Sequence, residues 1–270
     1  MLTAKSGRIR EARKLTRRAG REKAALFLAE GAQAVREAVA TGRAGVVEVF
    51  ATTSARDRHA PIIAAAQAAG ITVSVADDDA LAALSETVTP QGLVAVCRPV
   101  VVDAETALPD TPSLIVVLVE AQDPGNVGTV IRCADAAGAD AVLVTRGSAD
   151  VHSGKAVRAS AGSVFHLPIG AGTTVDDTVA LLRGRGLSVL AADGVGALDL
   201  DEAEHAGLLA RPTAWLFGNE ARGLPEAVRT LADHVVRVPI YGRAESLNLA
   251  TAAAVCLYAS ARVHAGQRTG

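Results

Sequence analysis

The stretch SLIVVLVEAQDPGNVGTVIR, Ser113 to Arg132, joins a nearly continuous apolar run, a polar turn and the opening of a helix. A run such as SLIVVLVE (113–120), with no polar alternation, predicts a strand buried on both faces. That is the habit of a parallel sheet covered by helices, so the fold class is α/β. Pro124-Gly125 makes the turn, Asn126 is placed to cap the coming helix, and Gly128 permits close backbone approach. Arg132 falls within the helix's first two turns, and a helix N-terminus welcomes an anion. Ligands of open α/β sheets gather beyond the carboxyl ends of strands, which makes this loop the first place to look for chemistry.

Downstream, strands are predicted at 140–145 (DAVLVT), 187–191 (LSVLA), 213–217 (TAWLF) and 235–238 (VVRV), with a final helix from about 247 to 263. Upstream, residues 99–112, within RPVVVDAETALPDTP, carry three prolines counting Pro99, show no helical period and read as a linker. Before it lies a small α/β unit over 23–98. Its strands are expected around Leu26–Leu28, at VVEVF (46–50), ITVSV (71–75) and GLVAVC (92–97), with helices over 31–42 and 60–69 and a third opened by Asp77-Asp78-Asp79. That acid run suits an N-cap and the helix dipole better than a metal, and no metal site is expected.

The chain has 270 residues, 50% of them hydrophobic, enough to bury a real core in two compact units. Aromatics make up 3% and there is one Met, so Ala, Val, Leu and Ile must supply that core. No stretch approaches the roughly 20 apolar residues of a membrane span and no apolar signal core follows the basic N-terminus, so a cytoplasmic protein is expected. Cys97, Cys133 and Cys256 are far apart in apolar runs and read as buried structural thiols. Residues 1–23 hold nine of the 27 Lys+Arg and two of the 29 acids, against an overall net charge of −2. A basic N-terminal arm over 1–22 is therefore expected to bind phosphate backbones through counterion release.

Two further loops gather glycines and polar residues after buried strands. LFGNEARGL (216–224) brackets Glu220 and Arg222 between glycines, with Gly218 at the strand end leaving room for a flat ligand. VPIYGRAESLNLATAAAV (238–255) turns through Gly242 into Ser246-Leu247-Asn248 and a long helix; Ser246 alone would be an ordinary N-cap. The first loop lacks a full GxGxxG and the second strand ends in Thr145-Arg146-Gly147 with no acid for a ribose diol, so a nicotinamide-dependent oxidoreductase is a weak alternative.

In that order and spacing, GNVGTVIR, FGNEARGL and VPIYGRAESLNLA resemble the three signature motifs of the SpoU/TrmH family, RNA 2′-O-ribose methyltransferases of the SPOUT superfamily. The N-terminal unit, from FLAEGAQAVREA to QGLVAVCR, resembles the ribosomal-protein-like RNA-binding domain that many of these enzymes carry. The resemblance implies a SPOUT methyltransferase domain over 113–270 with a C-terminal trefoil knot, acting as a homodimer. The reaction it implies is methyl transfer from S-adenosylmethionine to a ribose 2′-hydroxyl in structured RNA. Around the cofactor it places Gly218, Val238, Ile240 and Leu247. Near the reaction it places Arg132, to position the ribose and its phosphate, and Asn126, to orient Arg132 or the RNA. Glu220 anchors the motif loops or a guanidinium across the dimer, and Ser246 and Asn248 complete the pocket. Tyr241, Arg243 and Glu245 depart from the usual third motif.

Ribosomal RNA is the first substrate expected, because the N-terminal unit looks ribosomal-protein-like; transfer RNA is the runner-up. A noncatalytic RNA-binding protein is the alternative of another class, against which the retained polar motif residues speak. His152, Lys155 and Arg158 read as a solvated helix face or a phosphate track, His166 as a packed strand residue, and Trp215 as core.

Overall fold

The computed structural model describes residues 1–269, with side chains through Gly266; Gly270, the end of the expected catalytic domain, lies outside the described residues. The chain divides into two units, Met1–Val100 together with Asp150–His166, and Val101–Ala149 together with Leu167 onward.

In the first unit, strands β1 (Phe27–Glu30), β2 (Val46–Ala51), β3 (Thr72–Val75) and β4 (Leu93–Cys97) form a sheet in the order β1-β4-β2-β3. β4 runs antiparallel to β1 and β2, while β2 and β3 are parallel. Helix Ala32–Ala40 buries Ala34, Val35, Ala38 and Val39 at the spacing an amphipathic helix requires. The acid run caps as expected, Asp77 accepting from the Ala80 amide at 2.8 Å, and no cluster among the described residues is suited to a metal.

Residues 1–22, expected as a basic arm, are folded into the first unit. Helices Gly7–Lys14 and Arg18–Ala24 occupy most of this stretch, and Ile9, Ala12 and Leu15 are buried with Phe50, Leu81 and Val96 in the core of the unit. The reason is an apolar i, i+3, i+6 stripe under the dense positive charge. Arg21, 8% exposed, turns inward: its guanidinium donates to Asp150 at 2.6 and 2.9 Å and to the carbonyls of Leu15 and Thr16. Burial pushes the Asp150 carboxyl up, but hydrogen bonds from Arg21 and from the His152 amide, with the Arg21 charge, hold it below its ordinary range.

Asp150–His166 thus belongs to the first unit, although the chain enters and leaves it through the second. Of His152, Lys155 and Arg158, Lys155 is exposed as a solvated face requires, whereas His152 and Arg158 turn to partners within the unit. His152 packs on Phe27 with ring centroids 4.6 Å apart and accepts from the Val100 amide; burial keeps its imidazole below the usual pKa and neutral. Arg158 pairs with the buried Glu30 at 3.2 Å. His166 is no packed strand residue either; it follows a 3-10 turn, is 43% exposed and faces Glu37 at 3.2 Å.

The second unit is an eight-stranded parallel sheet of β5 (Val101–Asp103), β6 (Leu114–Leu118), β7 (Ala141–Val144), β8 (Ile169–Ala171), β9 (Ser188–Ala192), β10 (Leu198–Asp199), β11 (Thr213–Phe217) and β12 (His234–Arg237). Their order is β10-β12-β9-β11-β6-β7-β8-β5. β6 is central and fully buried, paired with β11 and β7. The span expected as a linker instead supplies β5 and helix Ala104–Ala107. Three residues at a sheet edge have too little apolar pattern to read as a strand. Trp215 is fully buried and donates to Ser260 at 3.0 Å. Burial pushes the Cys97 and Cys256 thiols up to about 12, as inert core residues, while Cys133 is only half-buried.

Replacing Arg21 with Met leaves Asp150 without its partner in a largely buried site. Urea denaturation at pH 7 is expected to show a loss of about 3 kcal/mol, the scale of a broken buried pair. Arg18→Ala, which breaks the exposed pair with Glu22, should cost under about 0.5 kcal/mol. Because the folded Asp150 pKa is depressed, its contribution is present above the ordinary carboxylate pKa of about 3.9 and disappears as pH falls through the folded value. The two proteins should therefore converge in stability in strong acid.

Candidate active site

β6 and β11 are parallel neighbours, so their carboxyl ends open on the same edge of the sheet. After β6 the chain passes Glu120, held at φ 49°, before reaching helix Pro124–Ala137. That conformation strains a residue with a side chain and is sustained here by its surroundings. The Glu120 amide donates to Thr145 and its carbonyl accepts from Asn219 and Gln122. Asp123, not Asn126, caps the helix, accepting from the Gly125 amide at 2.6 Å with Pro124 at the first helical position. Asn126 lies in the first turn with its side chain released for other partners.

After β11 the chain folds back at once, with paired backbone bonds between Asn219 and Gly223 at 3.2 and 2.8 Å. A Cβ on Gly218 would lie 2.5 Å from the Gly223 carbonyl carbon, so glycine is required by the loop's own backbone before any ligand is considered. The Asn219 side chain accepts from the Ala221 and Arg222 amides and donates to Glu120, joining the two loops.

Glu220 makes the second joint. Its carboxylate accepts from the amides of Gln122 (3.1 Å) and Asp123 (3.2 Å) and from Asn126 Nδ2 (3.1 Å). Partial burial raises its pKa, but these hydrogen bonds outweigh that and hold it below the ordinary glutamate value. Asn126 Oδ1 in turn accepts from Asn248 Nδ2 at 3.1 Å. Asn248 Oδ1 caps the helix Leu249–Thr269, accepting from Ala250 (2.9 Å) and Thr251 (3.4 Å). Asn248, expected with Ser246 to complete the pocket, thus serves as the cap of the last helix. Each amide in this series has one workable orientation, because the helix N–H groups need an oxygen at one end and the carboxylate needs a donor at the other.

The loops enclose a cavity of about 290 Å³. Gly218, Val238, Ile240 and Leu247, the residues expected around a cofactor, all line it, together with Glu220 and Ser246. Asn126 and Asn248 do not line it, but their hydrogen bonds tie its loops together. Arg132 stands apart: it is exposed, does not line the cavity, and makes no hydrogen bond or ion pair among the described residues. Six residues beyond Asn126 on the same helix, it is displaced by about 9 Å along the axis and faces elsewhere. Both polar ends of Asn126 are occupied, so Asn126 does not orient Arg132.

Three contributors escaped the motif reading. Asp123 was legible as an acid before a helix-opening proline. Asn219 sits inside the second motif, but its bridging bonds are visible only in three dimensions. Asp193, after β9, lines the cavity, accepts from the Leu224 amide at 3.1 Å and lies 3.8 Å from Arg229. Its only sequence signal is a common Asp-Gly turn.

Substituting Asn126 with Asp replaces a donor to Glu220 by a like charge. The variant should lose about 1 kcal/mol more stability at pH 8 than at pH 5, where one carboxyl can hold a proton, in paired urea titrations. Equal losses at both pH values would contradict the donor role.

Residues 113–258 match the SpoU rRNA Methylase family, and residues 28–101 match a family described as RNA 2′-O ribose methyltransferase substrate binding. Over 261 residues the chain is 35% identical to the 23S rRNA (guanosine(2553)-2′-O)-methyltransferase RlmP of Bacillus subtilis, covering 95% of this chain and 96% of that protein. Among solved structures, the SpoU methyltransferase AviRb from Streptomyces viridochromogenes in complex with AdoMet superposes with a TM-score of 0.82 at 30% identity, covering 98% and 99% of the two chains. An AdoMet-bound rRNA methyltransferase from Sinorhizobium meliloti gives a TM-score of 0.81 at 28% identity, with 97% of each chain covered.

Proposed function

The chain belongs to the SpoU rRNA methylase family, and from that premise we propose how its residues serve the transfer of a methyl group from S-adenosylmethionine to a ribose 2′-hydroxyl of ribosomal RNA. The observation that carries the assignment of residues is the convergence of three loops on one cavity, joined through Glu220, Asn126 and Asn248. The family leaves no place for the oxidoreductase alternative, and the relatives favour ribosomal over transfer RNA.

The cavity suits the cofactor. Val238, Ile240 and Leu247 offer apolar contact to a flat base, and Gly218 presents bare backbone at the wall. When bound, S-adenosylmethionine supplies a methyl group activated by its sulfonium for in-line displacement. Glu220, ionised and saturated with donors, holds the first loop against the second; its depressed pKa suits an anchor and not a proton acceptor at neutral pH. Asn126 and Asn248 fix the third loop, with Ser246 at the cavity wall. Arg132 is the residue assigned to the substrate. An uncommitted guanidinium acts as a cation that grips a ribose phosphate and stabilises charge developing on the 2′ oxygen, whose proton passes to solvent water.

A homodimer is the working form in this reading. It is supported by Val255 (39% exposed) and Tyr258 (55%) on the C-terminal helix, and by Ile240, Tyr241 and Leu247 exposed on the preceding loop. A trefoil knot in the C-terminal part belongs to the same reading and is supported by the likeness of the chain to SpoU methyltransferases over residues 113–258. No helix among the described residues is long and apolar enough to cross a membrane. The ribosomal RNA substrate makes the cytoplasm the proposed place of work.

Incubation with methyl-labelled S-adenosylmethionine and ribosomal RNA lacking the modification should yield label at a ribose 2′-oxygen. RNA binding without transfer would overturn the enzymatic reading. Arg132→Ala should reduce transfer at least about 100-fold, the scale of losing one charge-stabilising group, while calorimetry finds cofactor affinity within about threefold of wild type. Near-normal turnover would remove Arg132 from the reaction. Asn248→Ala, which unties the third loop, should weaken cofactor binding and turnover together.

A further inference from the structure

The N-terminal helix pair does more than present positive charge. Between these helices and strands β2 and β4 the first unit encloses a cavity of about 660 Å³, larger than the one at the motif loops and within the range of about 300–1,000 Å³ usual for ligand sites. Its apolar lining includes Ala12, Leu15, Phe50 and Val96; its polar lining holds Arg8 paired with Glu48, Lys14 paired with Glu11, and Lys23, which has no ion pair among the described residues. Helices Gly7–Lys14 and Arg18–Ala24 lie outside the span 28–101 that matches the substrate-binding family.

We propose that this cavity receives one unpaired nucleotide of the RNA substrate, its base entering the apolar recess and its phosphates meeting Lys23 and the exposed cations of the two helices. Three observations converge on a nucleotide. Apolar walls beside the unpaired Lys23, with two further cations held in ion pairs, complement a flat base attached to an anionic backbone. The same helices and their flanks carry Lys5, Arg10, Arg13 and Arg17, exposed and without an ion pair among the described residues, so the phosphates on either side also find charge. Arg8 is held over the Phe50 ring at 5.9 Å and braced by Glu48 and by Ser74 at 2.9 Å. A guanidinium plane fixed in this way is a surface on which a base can stack, in a chain with few aromatic residues to do so.

The proposal rests on the RNA substrate assigned above, but it can fail independently. Gly7 lines the cavity, has no positive φ, and a Cβ there meets nothing within 4 Å, so Gly7→Trp fills the recess without straining the fold. Ala24→Trp, an exposed lining position on the second helix, fills it from another side. The probe is a fluorescein-labelled single-stranded RNA of mixed sequence, partly substituted with 4-thiouridine, titrated against the full chain at several salt concentrations.

Each filling variant, with an unchanged thermal midpoint, should bind about tenfold more weakly at every salt concentration, the scale of losing one stacked base. The slope of log affinity against log salt should stay as in wild type. Arg10→Ala with Arg13→Ala should instead flatten that slope by roughly one to two counterions. Photocrosslinks in wild type should fall in peptides containing residues 7–24 or 46–51. Wild-type affinity in both filling variants, or crosslinks confined to other regions, would overturn the cavity assignment. Methyl transfer to ribosomal RNA by the wild type, assayed in parallel, tests the reaction separately.

Discussion

The Glu220 carboxylate fixes the geometry of the catalytic unit. It takes donors from the backbone of one loop and from Asn126, whose other end reaches Asn248 and through it the N–H groups of the last helix. An acceptor saturated with donors stays charged, and a charged acceptor makes stronger hydrogen bonds. The series has one sense of direction, so none of its amides can flip without leaving a donor facing a donor. Three loops that are distant in sequence are thereby held as one wall. Gly218 lets the second loop fold tightly enough to deliver Glu220 to this position.

This bracing explains a division of labour among residues that share the same motifs. Asn126, Glu220 and Asn248 spend their polar capacity on one another and on backbone. Arg132 spends none, because the helix carries it away from the network. A rigid wall for the cofactor and an uncommitted cation for the polyanionic substrate are different physical requirements. The first needs preorganisation and the second needs a side chain free to meet its ligand.

In the N-terminal unit, charge and core are carried by the same helices. Ile9, Ala12 and Leu15 anchor the first helix, and Arg21 is drawn inside against Asp150, leaving the remaining cations outward or at the rim of a cavity. The unit is completed by Asp150–His166, a segment reached only after the chain has crossed β7. Sequence order therefore misassigns these residues: Arg158, which looks solvated by spacing, is paired with buried Glu30, and His152 packs on Phe27.

What the sequence by itself determined was whatever depends on neighbours along the chain. The buried strands at 114–118 and 213–217, the Asp77 cap, the core position of Trp215 and the three motif loops with their reactive residue types all follow from local pattern and resemblance. Short edge strands such as Val101–Asp103 were not legible, because three residues carry no period and their pairing with β8 is non-local. The tertiary structure alone decided which polar atoms meet. It gave the cap of the last helix to Asn248 and not Ser246, bound Asn126 to Glu220 and not Arg132, and brought Asp193 to the cavity. A hydrogen bond depends on distances and angles between atoms far apart in the chain, and spacing along a sequence does not encode them.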